Sequence, residues 1–108
     1  MPTRSNEKII ESELKVFIEH DDRLPASEAV FVPKGDLTIG FFVEGGVYIS
    51  GDSETLRVNL NSKEMLVLLV ETKIGEHVYR FPWTRIIGFE LVTKGVDDPE
   101  LLQFFGVN

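Results

Sequence analysis

The sequence contains no cysteine, which excludes disulfide bonds and a thiol nucleophile. A protein of the cell interior needs no disulfides, and we expect this chain to be cytoplasmic. No apolar run approaches the ~20 residues that span a bilayer, so we expect no membrane association. Residues 1–8 are polar, lack the apolar segment of a signal peptide, and are expected to be frayed.

Positive charge is scarce. The chain of 108 residues has 11 Lys and Arg against 18 Asp and Glu, a net charge of −7. Nucleic-acid binding requires a basic surface, so this balance argues against it. The charge is uneven, because residues 61–94 carry five basic and four acidic side chains. That segment is either a chance fluctuation or a modestly positive face on an acidic body.

Signatures of catalysis are also missing, since no Gly-x-Ser-x-Gly motif occurs and only two histidines are present. His20 stands beside Asp21 and Asp22, residues that serve hard metals or acid–base chemistry, but a solvated polar loop is the favoured explanation of the three. His77 is interpreted as a half-buried strand residue. We therefore predict no enzymatic activity, catalytic residue, cofactor or metal site. A metal-dependent enzyme at the His20 loop is the least favoured alternative.

One stretch dominates what the sequence does contain, residues 65–93. It begins with six consecutive apolar residues, 65–70, which are typical of a strand buried on both faces. Val67 and Val70 favour a strand over a buried helix, because branched side chains pack well on a pleated surface. Such a strand needs two covers, of which one is the core and the other a helix or a neighbouring subunit.

The pattern after this run predicts an antiparallel hairpin. Residues 76–81 alternate, with Gly75 in the turn, so 65–72 and 76–81 are expected to pair. Pro82 has no N–H to donate and should end the second strand. A further strand follows from Arg85, and Gly88 in its middle indicates a bend, a bulge or a close backbone approach.

The remaining segments complete a mainly β fold. Alternation and turn residues predict four more short strands, at 29–32, 37–43, 47–50 and 55–60. Residues 9–20 fit a helix or a strand, and we favour a short helical turn leading into a strand at 13–19. The sum is a small antiparallel β-barrel or sandwich of six to eight short strands in a single domain, residues 1–108.

A short C-terminal α-helix is expected at 98–105. Asp98 can cap it, and Pro99 suits its first position. We expect its apolar residues to be buried on the core or across a subunit contact; they are Leu101, Leu102 and Phe105.

Binding residues concentrate at the end of the predicted hairpin. Tyr, Trp and Arg are enriched at interface hot spots, and this segment contains all three types. The candidate binding residues are Tyr79, Arg80, Trp83 and Arg85. The alternative is that Phe81 and Trp83 close one end of the barrel. Eight phenylalanines in so short a chain favour a homo-oligomer that hides a further apolar patch. We therefore predict a homo-oligomeric module that binds protein through residues 76–85.

The pattern of residues 78–91, aliphatic around a proline, resembles the last hairpin of Sm-like small barrels. It is equally similar to strands of bacterial pleckstrin-homology-like domains. The Sm-like resemblance implies a ring that binds single-stranded RNA, and this is the alternative function. The segment lacks the Gly-centred signature of Sm-type RNA sites, and the acidic charge balance also opposes an RNA site.

Overall fold

The computed structural model describes residues 2–93 and 103–106, with side chains described for 9–93 and Gly106. Within these residues the chain forms one α-helix, α1 at Pro2–Lys15, and nine β-strands. The strands are β1 Ile18–His20, β2 Val30–Pro33, β3 Leu37–Val43, β4 Val47–Gly51, β5 Leu56–Asn59, β6 Met65–Thr72, β7 Gly75–Pro82, β8 Ile86–Thr93 and β9 Gln103–Gly106. A 3-10 turn at Trp83–Arg85 joins β7 to β8.

The strands form two antiparallel sheets, so the expected mainly β class is confirmed. One sheet has the order β1-β2-β5-β6-β7 and the other β4-β3-β8-β9. The sheets are not closed into a barrel, and the barrel alternative is wrong. The reason lies in the connections: the chain passes from one sheet to the other after β2, β4 and β7, so these consecutive strands do not pair. The nine strands of the described residues also exceed the expected six to eight.

A single apolar core lies between these elements. Leu66 and Leu68 of β6 contribute from the five-stranded sheet, and Phe41 and Phe89 from the other. All four side chains are fully buried. Burying one such side chain stabilises the fold by about 1.5–3 kcal/mol, so this cluster is the main force that holds the sheets together.

Helix α1 covers one side of this core. Ile10 and Leu14, four residues apart, lie on the same helix face and are 3% and 0% exposed. The expected order of helix then strand is present, but its bounds are wrong: the helix continues to Lys15, and the strand expected at 13–19 begins only at Ile18 and ends at His20. Leu14, Val16 and Ile18 fit a strand by alternation, but a longer helix buries Leu14 and Ile10 together.

The two predicted hairpins are present. Strands β6 and β7 pair from Thr72 and Gly75 at the turn to Met65 and Pro82 at the far end. Strands β3 and β4 are joined through Gly45 and Gly46, whose φ angles of +93° and +79° are ones that other residues rarely adopt. Alternating apolar residues and turn glycines are thus sufficient to place these strands.

Gly88 of β8 lies at a β-bulge. Phe42 of β3 pairs with Gly88, whereas the next residue of β3, Val43, pairs with Ile86, so Ile87 is the extra residue. This confirms the irregularity expected at Gly88. Bulges increase the local twist of a strand, which suits a sheet that folds over a core.

The expected C-terminal helix is wrong over the residues that the structure describes. Gln103–Gly106 forms β9, which pairs with β8 through Glu90 and Phe104 and through Phe89 and Phe105. Residues 98–102, including Leu101 and Leu102, lie outside the described residues, as does the side chain of Phe105. The physical reason is that a short helix is marginal in water, whereas the edge of β8 offers hydrogen-bonding partners to a phenylalanine-rich segment.

The packing of α1 predicts a stability difference between two adjacent isoleucines. Ile10→Ala should lower the free energy of unfolding by about 2–5 kcal/mol, because it leaves a cavity in the core. Ile9 is 52% exposed, and Ile9→Ala should change that free energy by about 0.5 kcal/mol or less. Urea denaturation of both variants measures the difference. Equal effects would show that α1 is not docked through this face.

Candidate functional site: the edge of strand β7

Strand β7 is an edge of the five-stranded sheet. It pairs with β6 on one side, and no strand lies on its other side among residues 2–93 and 103–106. β7 is eight residues long, as long as any strand in the described part of the chain. Long open edges present unpaired backbone groups to other chains, so natural proteins usually shorten or cover them.

Two hydrogen bonds define which backbone groups of β7 face outward. The Glu71 N–H donates to the Thr55 carbonyl at 2.8 Å, so the Glu71 N–H points towards β5 and away from β7. The Trp83 N–H donates to the Glu64 carbonyl at 3.1 Å, so the odd-numbered residues of β7 face β6. Antiparallel ladders alternate, and the N–H and C=O groups of Glu76, Val78 and Arg80 therefore point to the open edge.

One face of β7 carries an aromatic ladder formed by His77, Tyr79 and Phe81. The rings of His77 and Tyr79 stack with centroids 6.3 Å apart, and those of Tyr79 and Phe81 with centroids 6.2 Å apart. Phe81 packs against the core, whereas Tyr79 is 36% exposed. Exposure therefore increases along the ladder from Phe81 to Tyr79, and the stacked neighbours fix the orientation of the Tyr79 ring.

The opposite face of β7 combines charge with apolar surface. Val78 is 50% exposed and pairs with the half-buried Leu69 of β6. Glu76 accepts a hydrogen bond from the Arg57 guanidinium, which reaches it from β5. Arg80 is exposed and forms no ion pair within the described residues. The apolar run at 65–70 is expected to be covered on both faces of the sheet. On this face Leu69 is only half-buried, so the cover is incomplete.

The four predicted binding residues fall in three places. Tyr79 and Arg80 lie on opposite faces of the β7 edge, and Arg85 is exposed at the end of the 3-10 turn. Trp83 is 3% exposed and belongs to the core. Its indole N–H is buried and has no hydrogen-bond partner among the described residues. Tyr79 and Arg80 are therefore neighbours along one exposed strand but lie on its two faces, whereas Trp83 belongs to the core.

The His20 loop contains an ion pair. The Asp21 carboxylate is 3% exposed and accepts bonds from the Arg23 side chain at 2.9 and 3.1 Å and from its backbone N–H at 3.1 Å. Hydrogen bonds from Arg23 hold the pKa of Asp21 below its usual value. His20 lies 2.9 Å from the Glu28 carbonyl through Nε2. No group of three potential metal ligands occurs among the described residues.

A second polar contact at the surface, on the four-stranded sheet, is not indicated by any pattern in the sequence. The Tyr48 hydroxyl donates to Glu90 at 2.6 Å, across 42 positions of the chain. It does so by lying over Gly40, where a Cβ atom would overlap the hydroxyl. Burial of the hydroxyl and its contact with Glu90 raise the pKa of Tyr48 to about 12. Gly40 reads as an ordinary strand glycine until this contact is known.

Comparisons with known proteins provide no relative. No family model matches the chain, and no curated protein or solved structure is significantly similar to it. The Sm-like resemblance therefore rests on residues 78–91 alone. It implies a closed five-strand barrel, whereas the described residues form two unclosed sheets. Within the same residues, no helix is long and apolar enough to cross a membrane.

The Tyr48–Glu90 contact predicts an alkaline titration. Because the pKa of Tyr48 is raised, its contribution to stability is complete below the unfolded value near 10 and is lost as the pH rises through about 12. The Tyr48→Phe variant should lose the phenol that titrates near 12, and Tyr79→Phe should retain it. Ultraviolet absorbance of the phenolate measures both. A late phenol that persists in Tyr48→Phe would contradict the assignment.

The Asp21–Arg23 pair predicts an acid effect of the opposite sign. The pKa of Asp21 is lowered in the fold, so its stabilisation is present above the unfolded value near 4 and is lost as the pH falls through the folded one. Asp21→Asn should therefore cost unfolding free energy at neutral pH and less in acid. Asp22→Asn, at the exposed neighbour, is the matched control and should change little. A pH-independent cost of Asp21→Asn would exclude the charge as its cause.

Proposed function

We propose that this protein is a non-enzymatic, cytoplasmic binding module and that its site is residues 76–85. An extended segment of a partner protein adds to β7 as a further strand. The observation that carries the proposal is the open edge of β7, where the backbone groups of Glu76, Val78 and Arg80 face outward. Strand addition gains affinity from main-chain hydrogen bonds and specificity from alternate side chains.

Side chains on the two faces supply that specificity. Tyr79 offers a ring held by its stacked neighbours, and Arg80 offers on the other face a charge that forms no ion pair with the residues that the structure describes. Successive side chains of a bound segment would lie alternately on the two faces, one set beside Tyr79 and the other beside Arg80. Arg85 extends the positive charge beyond the strand, so the favoured partner segment carries an acidic residue on the Arg80 side and an apolar or aromatic one beside Tyr79.

The anchor of the site is the turn that follows β7. Trp83 is buried in the core, and its backbone N–H donates to the carbonyl of Glu64, the residue before β6. This holds the end of β7 against β6 while leaving its outer edge open. The edge therefore keeps its shape without a partner, and little ordering entropy is lost on binding.

The proposal is tested by removing one backbone donor. Random peptides displayed on phage are selected on the wild-type protein and then measured against Val78→Pro and Val78→Thr. Val78→Pro removes an outward N–H while leaving the ladder with β6 intact, and Val78→Thr keeps both that N–H and the branched shape. We expect Val78→Pro to weaken the selected peptides at least about tenfold and Val78→Thr to bind as the wild type does.

The side chains provide the second arm. Tyr79→Ala and Arg80→Ala should each weaken the same peptides several-fold, whereas Lys63→Ala, exposed in the loop before β6, should not. Amide hydrogen exchange should slow at Glu76, Val78 and Arg80 when a peptide is bound. Selected peptides that bind Val78→Pro as tightly as the wild type, or a selection that enriches none, would contradict the proposal.

A further inference from the structure

The edge of β7 is complementary to itself. Resting on the proposed function, we infer that its partner is the β7 strand of a second copy of this chain, antiparallel and centred on Val78. A two-fold axis then passes between the two Val78 residues, and the two five-stranded sheets become continuous. An isologous contact of this kind uses one patch on both copies.

The backbone permits this register. Glu76, Val78 and Arg80 all direct their N–H and C=O groups to the open edge. In the proposed register Val78 faces Val78, and Glu76 faces Arg80 of the second copy. Each of these pairs exchanges both of its main-chain hydrogen bonds. Pro82, which has no N–H, falls at the end of the new ladder, where it interrupts nothing.

Charge selects this register over its neighbours. Glu76 and Arg80 stand two residues on either side of Val78, so centring on Val78 places opposite charges together at both ends of the contact. Centring on Glu76 or on Arg80 places like charges together. Centring on His77 places Glu76 opposite Val78 and Arg80 opposite Ile74. Centring on Tyr79 places Arg80 opposite Val78 and Glu76 opposite Pro82. Of these registers, only the one centred on Val78 satisfies both charges.

In the single chain, the carboxylate of Glu76 is already oriented and the guanidinium of Arg80 is available. Glu76 is held by Arg57 of its own copy, and Arg80 forms no ion pair within the described residues. The incoming Arg80 therefore meets a carboxylate that is already oriented. It adds a second cation to Glu76 without removing the first.

The aromatic face fits the same register. Residues that do not exchange hydrogen bonds approach more closely, with Cα atoms about 4.5 Å apart. In the proposed dimer His77 and Tyr79 of the second copy form such a pair. Their rings already stack with their strand neighbours, so the two ladders meet as one continuous aromatic surface. Tyr79, 36% exposed in the single chain, becomes covered.

The contact is small, which sets its strength. One strand edge buries far less than the ~1,200 Å² of a stable interface, so we expect a weak dimer that dissociates on dilution. Sedimentation equilibrium of the wild-type chain up to millimolar concentration should show a monomer–dimer equilibrium and no larger species.

Charge exchange tests the register. Arg80→Glu puts Glu opposite Glu, and Glu76→Arg puts Arg opposite Arg, so each variant alone should dimerise at least about tenfold more weakly than the wild type. An equimolar mixture of the two restores both opposite-charge pairs and should form heterodimers. The double variant Glu76→Arg/Arg80→Glu should again form homodimers. Circular dichroism of each variant at low concentration verifies that the monomer is folded.

A cysteine placed on the axis gives an independent measurement. The chain has no cysteine, so Val78→Cys introduces the only thiol. Hydrogen-bonded pairs have Cα atoms about 5.5 Å apart, a distance that suits a disulfide. Val78→Cys should therefore cross-link readily under mild oxidation. Ile74→Cys, 88% exposed in the turn and far from the axis, should not.

The outcomes separate this inference from the proposed function. A wild-type chain that stays monomeric at millimolar concentration while β7 still binds selected peptides would overturn the self-pairing alone. A mixture of Arg80→Glu and Glu76→Arg that fails to assemble, beside a dimeric wild type, would overturn the register. A monomeric chain whose peptide binding is also insensitive to Val78→Pro would overturn both.

Discussion

Strand β6 is the element on which the rest of this structure depends. Its two fully buried leucines, Leu66 and Leu68, join the five-stranded sheet to the core shared with α1 and the second sheet. It is also the only described strand to which β7 is bonded. An isolated two-stranded hairpin is marginal in water, so the open edge keeps its geometry because β6 is buried. The same apolar run that secures the core therefore also supports the candidate site.

Trp83 links the core to that site, but its indole N–H carries a free-energy cost. Its ring fills the core directly after β7, and its N–H is buried without a partner among the described residues. Leaving such a donor unpaired costs about 1–3 kcal/mol, which the burial of a large aromatic ring offsets. Because Trp83 begins the 3-10 turn, this packing fixes the point at which the chain leaves one sheet for the other.

The sequence predicts those parts of the fold whose signals are local. The β6–β7 hairpin, the β3–β4 hairpin and the irregularity at Gly88 follow from alternation, turn glycines and a proline within a few residues. Residues 9–20 are ambiguous because Leu14 and Ile18 fit both periods. The burial of Ile10 with Leu14 extends the helix to Lys15, and the strand is limited to Ile18–His20. The segment at 103–106 depends on the edge of β8, which no local pattern reveals. Barrel closure likewise depends on which sheet each strand enters.

The candidate site was predictable in composition but not in geometry. Alternation places Tyr79 and Arg80 on opposite faces of one strand, and the structure does so. It does not indicate that β7 is an edge, because the order of strands in a sheet is a long-range property. Trp83 illustrates the limit: tryptophan is enriched both in interfaces and in cores, and only the packing distinguishes the two. The Tyr48–Glu90 contact across Gly40 lies beyond any local pattern for the same reason.

Pro82 limits what the open edge can do. It is the residue after Phe81 at the end of β7, in a position whose missing N–H would have pointed outward. A strand laid along β7 therefore finds donors only over a few residues, and the bend at Trp83 then turns the chain away. Fibrils of the amyloid type need regular edges on which identical strands stack without end, and the segments that form them contain no proline. One proline at the end of β7 thus interrupts the regular edge on which a polymer would grow, while the outward donors of Glu76, Val78 and Arg80 remain for specific pairing.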